Sequence, residues 1–225
     1  MDSVRPGAGE GQRVETGVGV IDKGVGILDA LARGPLDLAG LQAATGLPRA
    51  TAHRLAVALE GHHLVRRDAQ GRFCLGFELI RLGRAAADEF PLAELATPAL
   101  TALRDRTGES VQLYVREQTA RRCVVSLQSQ HALQWIVPVG ALLPLEVGSA
   151  GKVLGGTGAP PLAESVEERE PGVASVSAAV VDRQGVVVAA VSISGPVERL
   201  TRTPAARFGD AVADAARQVS AAVTR

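Results

Sequence analysis

LDLAGLQAATGLPRATAHRLAVALEGHHLVRRDAQGRFCLG, residues 36–76, carries two short helical patterns and a strand pair in one unbroken run. Asp37 stands before Leu38, Leu41, Ala43 and Ala44, where its carboxylate can cap a helix that Gly46 then closes. Leu47-Pro48 opens the next helix, Arg49 to Glu60, because proline suits a first helical turn. After Gly61 the period changes. Leu64 and Val65, the polar break Asp68-Ala69-Gln70-Gly71, then Phe73, Cys74 and Leu75 read as a β-hairpin. Upstream, Asp22 is placed to cap a helix whose Val25, Ile27, Leu28 and Leu31 form an apolar stripe stopped by Gly34-Pro35. Three short helices followed by a hairpin are the layout of a winged helix-turn-helix.

The third helix tests that layout chemically. At 100° per residue, Ala52, Leu55, Ala56 and Leu59 share the side that would pack on the first two helices. Arg49, Ala50, His53, Arg54 and Val57 share the other, so two guanidiniums and an imidazole cluster toward its N-terminal half. Recognition helices present that half to base edges, and Arg is the commonest reader of guanine. Thr51, on the margin, suits a phosphate oxygen. Gly46–Arg84 holds seven basic against three acidic residues, a net +4 inside a chain whose 24 basic and 24 acidic residues balance. Arg66, Arg67 and Arg72 fall on the hairpin, placed to touch phosphates or a minor groove. The competing reading is that Arg simply solubilises this chain, since Lys occurs only at Lys23 and Lys152.

Outward from this core, residues 1–17 are rich in Gly and read as a flexible arm. The winged helix is expected over 18–79 and a linker helix over 80–90. Phe90-Pro91 marks a boundary, because proline forces the residue before it out of helix. From 91 to 225 the pattern is α+β. Leu92–Thr107 is expected as a helix with Leu95, Leu100 and Leu103 inward. Ser110–Arg116, Cys123–Leu127 and Leu133–Val137 are expected as strands, and Ala174–Val181 with Val186–Ile193 as a hairpin around Asp182–Gly185. A last helix, Pro204–Val223, shows Phe208, Val212, Ala215, Val219 and Val223 along one side.

Composition narrows the class further. The chain is 225 residues long with 46% hydrophobic residues, enough for a core and against wholesale disorder. Aromatics are 3%, so that core must be built from Ala, Val and Leu. Cys74 and Cys123, far apart in sequence, are expected as buried, reduced thiols. With no secretory pattern and no run of about 18 apolar residues, a soluble, cytoplasmic protein is expected, with no membrane partner.

The helix–hairpin run resembles the winged helix of the IclR family of bacterial transcriptional regulators. The resemblance is carried by Leu47, Pro48, Arg49, Ala50, Thr51, His53, Arg54 and Leu55, and by Gly71, Phe73, Leu75 and Gly76 in the wing. Further on, Glu170–Ser175, Val187–Pro196 and Gly148–Lys152 are similar to motifs of the family's effector domain. Within the family the chain looks most like the actinobacterial branch that controls amino-acid biosynthesis genes. The resemblance implies a GAF-like effector-binding domain, an operator in double-stranded DNA and a homodimer or homotetramer. The effector it implies is an amino acid or related carboxylate. Two departures stand out. Ala50 replaces the family's usual Ser, and only GGTGAPPLA, residues 155–163, stands where relatives carry a longer segment that helps enclose the effector.

Effector-binding candidates beside those motifs are Gln112, Tyr114, Ser149, Ala150, Ser175, Ser177, Ser192 and Ser194. Their hydroxyl and amide groups could orient a carboxylate, aided by backbone N–H groups after Val147. Alternatively they bond their own strands. Trp135 reads as core or interface. No catalytic set, cofactor motif or metal-ligand spacing is found: Gly148-Ser149-Ala150-Gly151 is no nucleophile elbow, and His62-His63 lacks Cys or carboxylate at ligand spacing. A small-acid-processing enzyme with an N-terminal docking module, and a protein-binding adaptor, are the rival classes.

Overall fold

A computed structural model of the chain describes residues 16–89 and 91–224. All but the end of the expected arm, residues 1–15, lies outside the described residues. The chain divides into two compact units, one up to residue 90 and one from Pro91 on.

In the first unit α1 (Gly19–Leu31), α2 (Leu38–Thr45) and α3 (Arg49–Gly61) precede a hairpin of β1 (Val65–Arg67) and β2 (Phe73–Leu75). Asp37 caps α2 as its sequence position predicts, accepting a 2.7 Å bond from the Gly40 amide, and Gly46 closes the helix in the left-handed region. Asp22 is not a cap. Val18 takes that position, and Asp22 lies one turn in, where it accepts a 2.7 Å bond from the Thr16 hydroxyl. Leu36 and Phe73 exchange backbone bonds of 2.8 and 2.9 Å, a single bridge that ties the α1–α2 connection to the hairpin. Ile27, Leu31, Leu41, Ala56, Val65 and Phe73 form the core. The hairpin ends in α4 (Glu78–Asp88), a helix with no buried residue.

The second unit is a six-stranded antiparallel sheet. In sequence its elements are α5 (Leu92–Thr107), β3 (Ser110–Glu117), β4 (Ala120–Leu127), β5 (Leu142–Pro144), α6 (Ser149–Val153), β6 (Leu162–Val166), β7 (Val173–Val181), β8 (Val187–Pro196), α7 (Val197–Leu200) and α8 (Pro204–Val223). Strand order is β5-β4-β3-β8-β7-β6. Period-2 alternation gives the sheet two chemically different faces. Val111 and Leu113, Val176 and Ala178, and Val191 and Ile193 face α5 and α8 and make the main core. Gln112, Tyr114, Ser175, Ser177, Ser192 and Ser194 alternate with them on the opposite face.

Three expectations are corrected here. Leu95 is 42% exposed; the buried stripe of α5 is Leu92, Ala96, Leu100 and Leu103. Leu133–Val137 is not a strand, because the free edge of β4 is taken by β5, with Arg121 opposite Leu143. Finally, β6 was not foreseen; it begins in the last two residues of the 155–163 segment and forms the sheet edge beside β7.

Candidate functional site

On α3, Ala52 and Ala56 are fully buried and Leu55 and Leu59 partly so. Arg49, Ala50, His53, Arg54 and Val57 are exposed and Thr51 is intermediate, so the helix presents one continuous exposed side with its polar groups toward the N-terminal half. Among the described residues neither Arg49 nor Arg54 meets a carboxylate. Both guanidiniums are available to an anionic partner.

The wing differs from expectation. Arg67 Nε lies 3.2 Å from Glu60 at the end of α3, with its guanidinium 4.2 Å from the Phe73 ring centroid. Arg72 bonds Asp68 at 2.8 Å across the turn. Burial works to raise the Asp68 carboxyl, but bonds from Arg72 and the Gln70 amide outweigh it and hold the group below its ordinary value. Two of the three hairpin guanidiniums are thus already neutralised by their own protein. Among the described residues Arg66 meets no carboxylate; it stacks on the exposed Phe77 ring at 5.0 Å. Sequence reading missed these pairs because they depend on which side chains the hairpin brings opposite one another.

The polar face of the large sheet holds the second candidate site, a cavity of about 40 Å³. Tyr114, Ser149, Ala150, Ser175, Ser192 and Ser194 line it. The other two candidates stand behind this wall. Ser177 bonds Ser149 at 2.7 Å and Ser192 at 2.9 Å, and Gln112 accepts a 2.9 Å bond from Ser194. Ser149 also bonds Ser175 at 2.7 Å, so the hydroxyls form a connected chain across α6, β7 and β8. The Gln112 Nε2 donor is buried without a partner. The Gly148 amide, first of the backbone donors after Val147, is occupied by Glu168 at 3.1 Å.

Sequence reading missed three cavity residues of consequence. Trp135 lines the opening, and the half-buried Arg169 stacks over it at 5.1 Å. Arg121, 3% exposed, forms part of the wall. Its position was readable: extending the alternation one step back from Cys123 puts residue 121 on the same face. None of the four histidines is in the lining, and among the described residues no metal-ligating cluster occurs.

Both units match family models. The IclR helix-turn-helix domain matches residues 20–69, and the bacterial transcriptional regulator IclR C-terminal domain matches 84–159 and 156–221. The second match comes in two pieces that meet at 156–159, inside GGTGAPPLA, which locates the missing length. The glycerol operon regulatory protein of Streptomyces coelicolor is 31% identical over 89% of this chain and 94% of its own. The HTH-type transcriptional repressor AllR of Escherichia coli K12 is 26% identical over 97% of this chain and 95% of its own. The chain belongs to the IclR family of bacterial transcriptional regulators. The fold is likewise that of Thermotoga maritima IclR, with a TM-score of 0.74 at 20% identity over 92% of this chain and 99% of that one. An IclR homolog from Microbacterium hydrocarbonoxydans, crystallised with 4-hydroxybenzoate, gives 0.75 at 18% identity over 91% and 98%.

Proposed function

We propose that this regulator reads operator DNA with α3 and senses a small molecule in the cavity on the polar face of its sheet. Arg49, Ala50, Thr51, His53 and Arg54 enter the major groove, and Arg66 flanks it. Arg67 and Arg72 reach phosphate only by exchanging Glu60 and Asp68 for it, so their contribution is smaller. The observation that carries the reading is the exposed side of α3, where two guanidiniums lack a carboxylate in a unit otherwise rich in ion pairs.

One module buries too little surface for useful operator affinity, so two copies acting about one DNA turn apart are required. The apolar residues left outside support a homodimer, or a homotetramer built from it. Val20 and Ile21 of α1 are 62% and 56% exposed, and Phe77 and Ile80 at α4 are 70% and 54%. The linker role of α4 belongs to the same proposal. No helix among the described residues is long and apolar enough to cross a membrane, in keeping with work on DNA in the cytoplasm.

For the regulated genes, control of amino-acid metabolism rests on the chain's likeness, within the family, to the actinobacterial branch that controls amino-acid biosynthesis genes. The relatives matched above bear other names, a glycerol operon regulator and AllR. Protection mapping on genomic fragments, with and without a panel of amino acids, tests site, symmetry and response together. Arg54→Ala should cost about 1–3 kcal/mol of specific binding if it reads a base, or lower the salt slope by about one if it holds a phosphate. Unchanged operator affinity in Arg49→Ala, His53→Ala and Arg54→Ala alike would remove α3 from the interface.

A further inference from the structure

The exposed side of α3 is not uniformly charged. Counting about 100° per residue, Ala50 and Val57 fall about 20° apart in the middle of the exposed arc, with Arg49 and His53 to one side and Arg54 to the other. Both are open to solvent, and Val57 is 41% exposed. The centre line of the arc is therefore apolar, and its cations stand on the flanks. Along the helix axis the two residues are about 10 Å apart, the rise of about three base pairs.

That centre line offers nothing to an amino group. Adenine and cytosine present N–H donors in the major groove, at N6 and N4, and proteins meet them with a carboxamide or a carboxylate. The α3 helix has no Asn, Gln or Asp. Its one carboxylate, Glu60, lies in the last turn, where Arg67 holds it at 3.2 Å. The side-chain acceptors left are the half-buried Thr51 hydroxyl at the margin and a ring nitrogen of His53, both off the centre line. An amino group facing Ala50 would lose its water and gain no acceptor, which is costly for a donor. Thymine is different. Its 5-methyl group projects into the same groove, and methyl groups in contact shed water from both surfaces. Ala50 is also short, so the helix can approach the base edges there while the longer Arg49 and Arg54 side chains reach past it.

We infer that Ala50 and Val57 select thymine: each half-site sets one thymine 5-methyl group against Ala50 and a second, about three base pairs on, against Val57. The assignment rests on reading α3 as the helix that enters the major groove. It adds which base the helix selects and the side chains that do so.

Duplexes selected from a random pool by the full-length protein define the half-site. Replacing each thymine in turn by uracil removes only the methyl group, so gel shifts then map methyl contacts. The wild-type protein should lose about fourfold in affinity at the position facing Ala50, as expected for one buried methyl, and a similar factor at a second position about three base pairs away. Ala50→Gly should abolish the first loss and keep the second; Val57→Ser should do the opposite. Ala50→Ser supplies an acceptor, so its selected sites should admit adenine or cytosine at the first position. The absence of any methyl-sensitive position overturns the assignment, as do methyl-sensitive positions that all three variants leave unchanged. Ala50→Ser decides if Ala50→Gly fails to fold. The two readings fail separately. If Arg49→Ala, His53→Ala or Arg54→Ala weakens binding while uracil is silent throughout, α3 still reads the operator and the thymine assignment falls. If those three are without effect, or the pool yields no preferred sequence, both fall.

Discussion

Gly76 shows how much one missing methyl group can hold. A Cβ there would lie 1.9 Å from the His63 carbonyl oxygen and 2.8 Å from the Leu64 carbonyl carbon, all of it backbone that cannot swing aside. The Gly76 amide meanwhile donates to the Leu64 carbonyl at 2.8 Å, fixing β2's exit against the end of α3. Gly76→Ala should therefore destabilise the first unit by about 1–3 kcal/mol or more, read as a lowered Tm in that unit's melting; an unchanged Tm would show that the hairpin shifts freely. Cys123 tests burial of a different kind. Fully buried, its thiol is pushed up to about 12, with the Val125 carbonyl contact only partly offsetting burial. At pH 8 it is a thiol rather than a thiolate, so in Cys74→Ser a disulfide reagent should titrate Cys123 only after unfolding. Rapid reaction in the native protein would contradict the buried placement. At this scale the sequence is a partial guide. The free guanidiniums of Arg49 and Arg54 follow from helical period, but the capture of Arg67 by Glu60 and of Arg72 by Asp68 requires knowing the hairpin's register.

Elements were legible where a cap, a glycine and a period agree. Asp37, Gly46 and the Ala52–Ala56 stripe left little freedom in where α2 and α3 lie. Leu133–Val137 misled because a run of five with four apolar residues fits a strand as well as a loop, and Val137 is indeed 2% exposed without strand pairing. Likewise β6 is short and pairs only with β7, and its signal lies beside the Pro160-Pro161 break. Leu95 was read inward although the stripe of α5 runs through Ala96. α4 raises the opposite question, since its period is clear but its own unit buries none of it. If its apolar residues meet a second copy, Ile80→Asp should turn a dimer into a monomer in sedimentation, with operator affinity falling alongside. It should leave the first unit's Tm nearly unchanged, because Ile80 is exposed there. A dimer that survives this change would clear α4 of the interface.

For the molecule as a whole, the two units have separate cores, one around Ile27, Leu41 and Phe73, the other between the sheet and α5 and α8. That division was readable from Phe90-Pro91, and the regulator family from motifs in both halves. What the sequence withheld is the enclosure of the cavity, because it depends on Trp135 and Arg169, brought to it by irregular segments, and on a buried arginine two positions before the expected strand. Separate cores imply separable behaviour. A chain begun at Pro91 should fold, keep its affinity for any small molecule that the protection mapping identifies, and bind no operator. In the full-length chain the two activities must be linked if the cavity serves regulation. Linkage is reciprocal: whatever factor the ligand changes operator affinity by, operator DNA must change the ligand's affinity by the same factor. Couplings of this kind span about 1–3 kcal/mol, or roughly 5–150-fold. Calorimetric titrations of a small molecule from that panel, with and without a saturating operator duplex, should therefore differ by the factor that gel shifts measure with and without the same molecule. Identical titrations, alongside a ligand-dependent gel shift, would mean that the ligand acts on DNA binding from some place other than the site titrated.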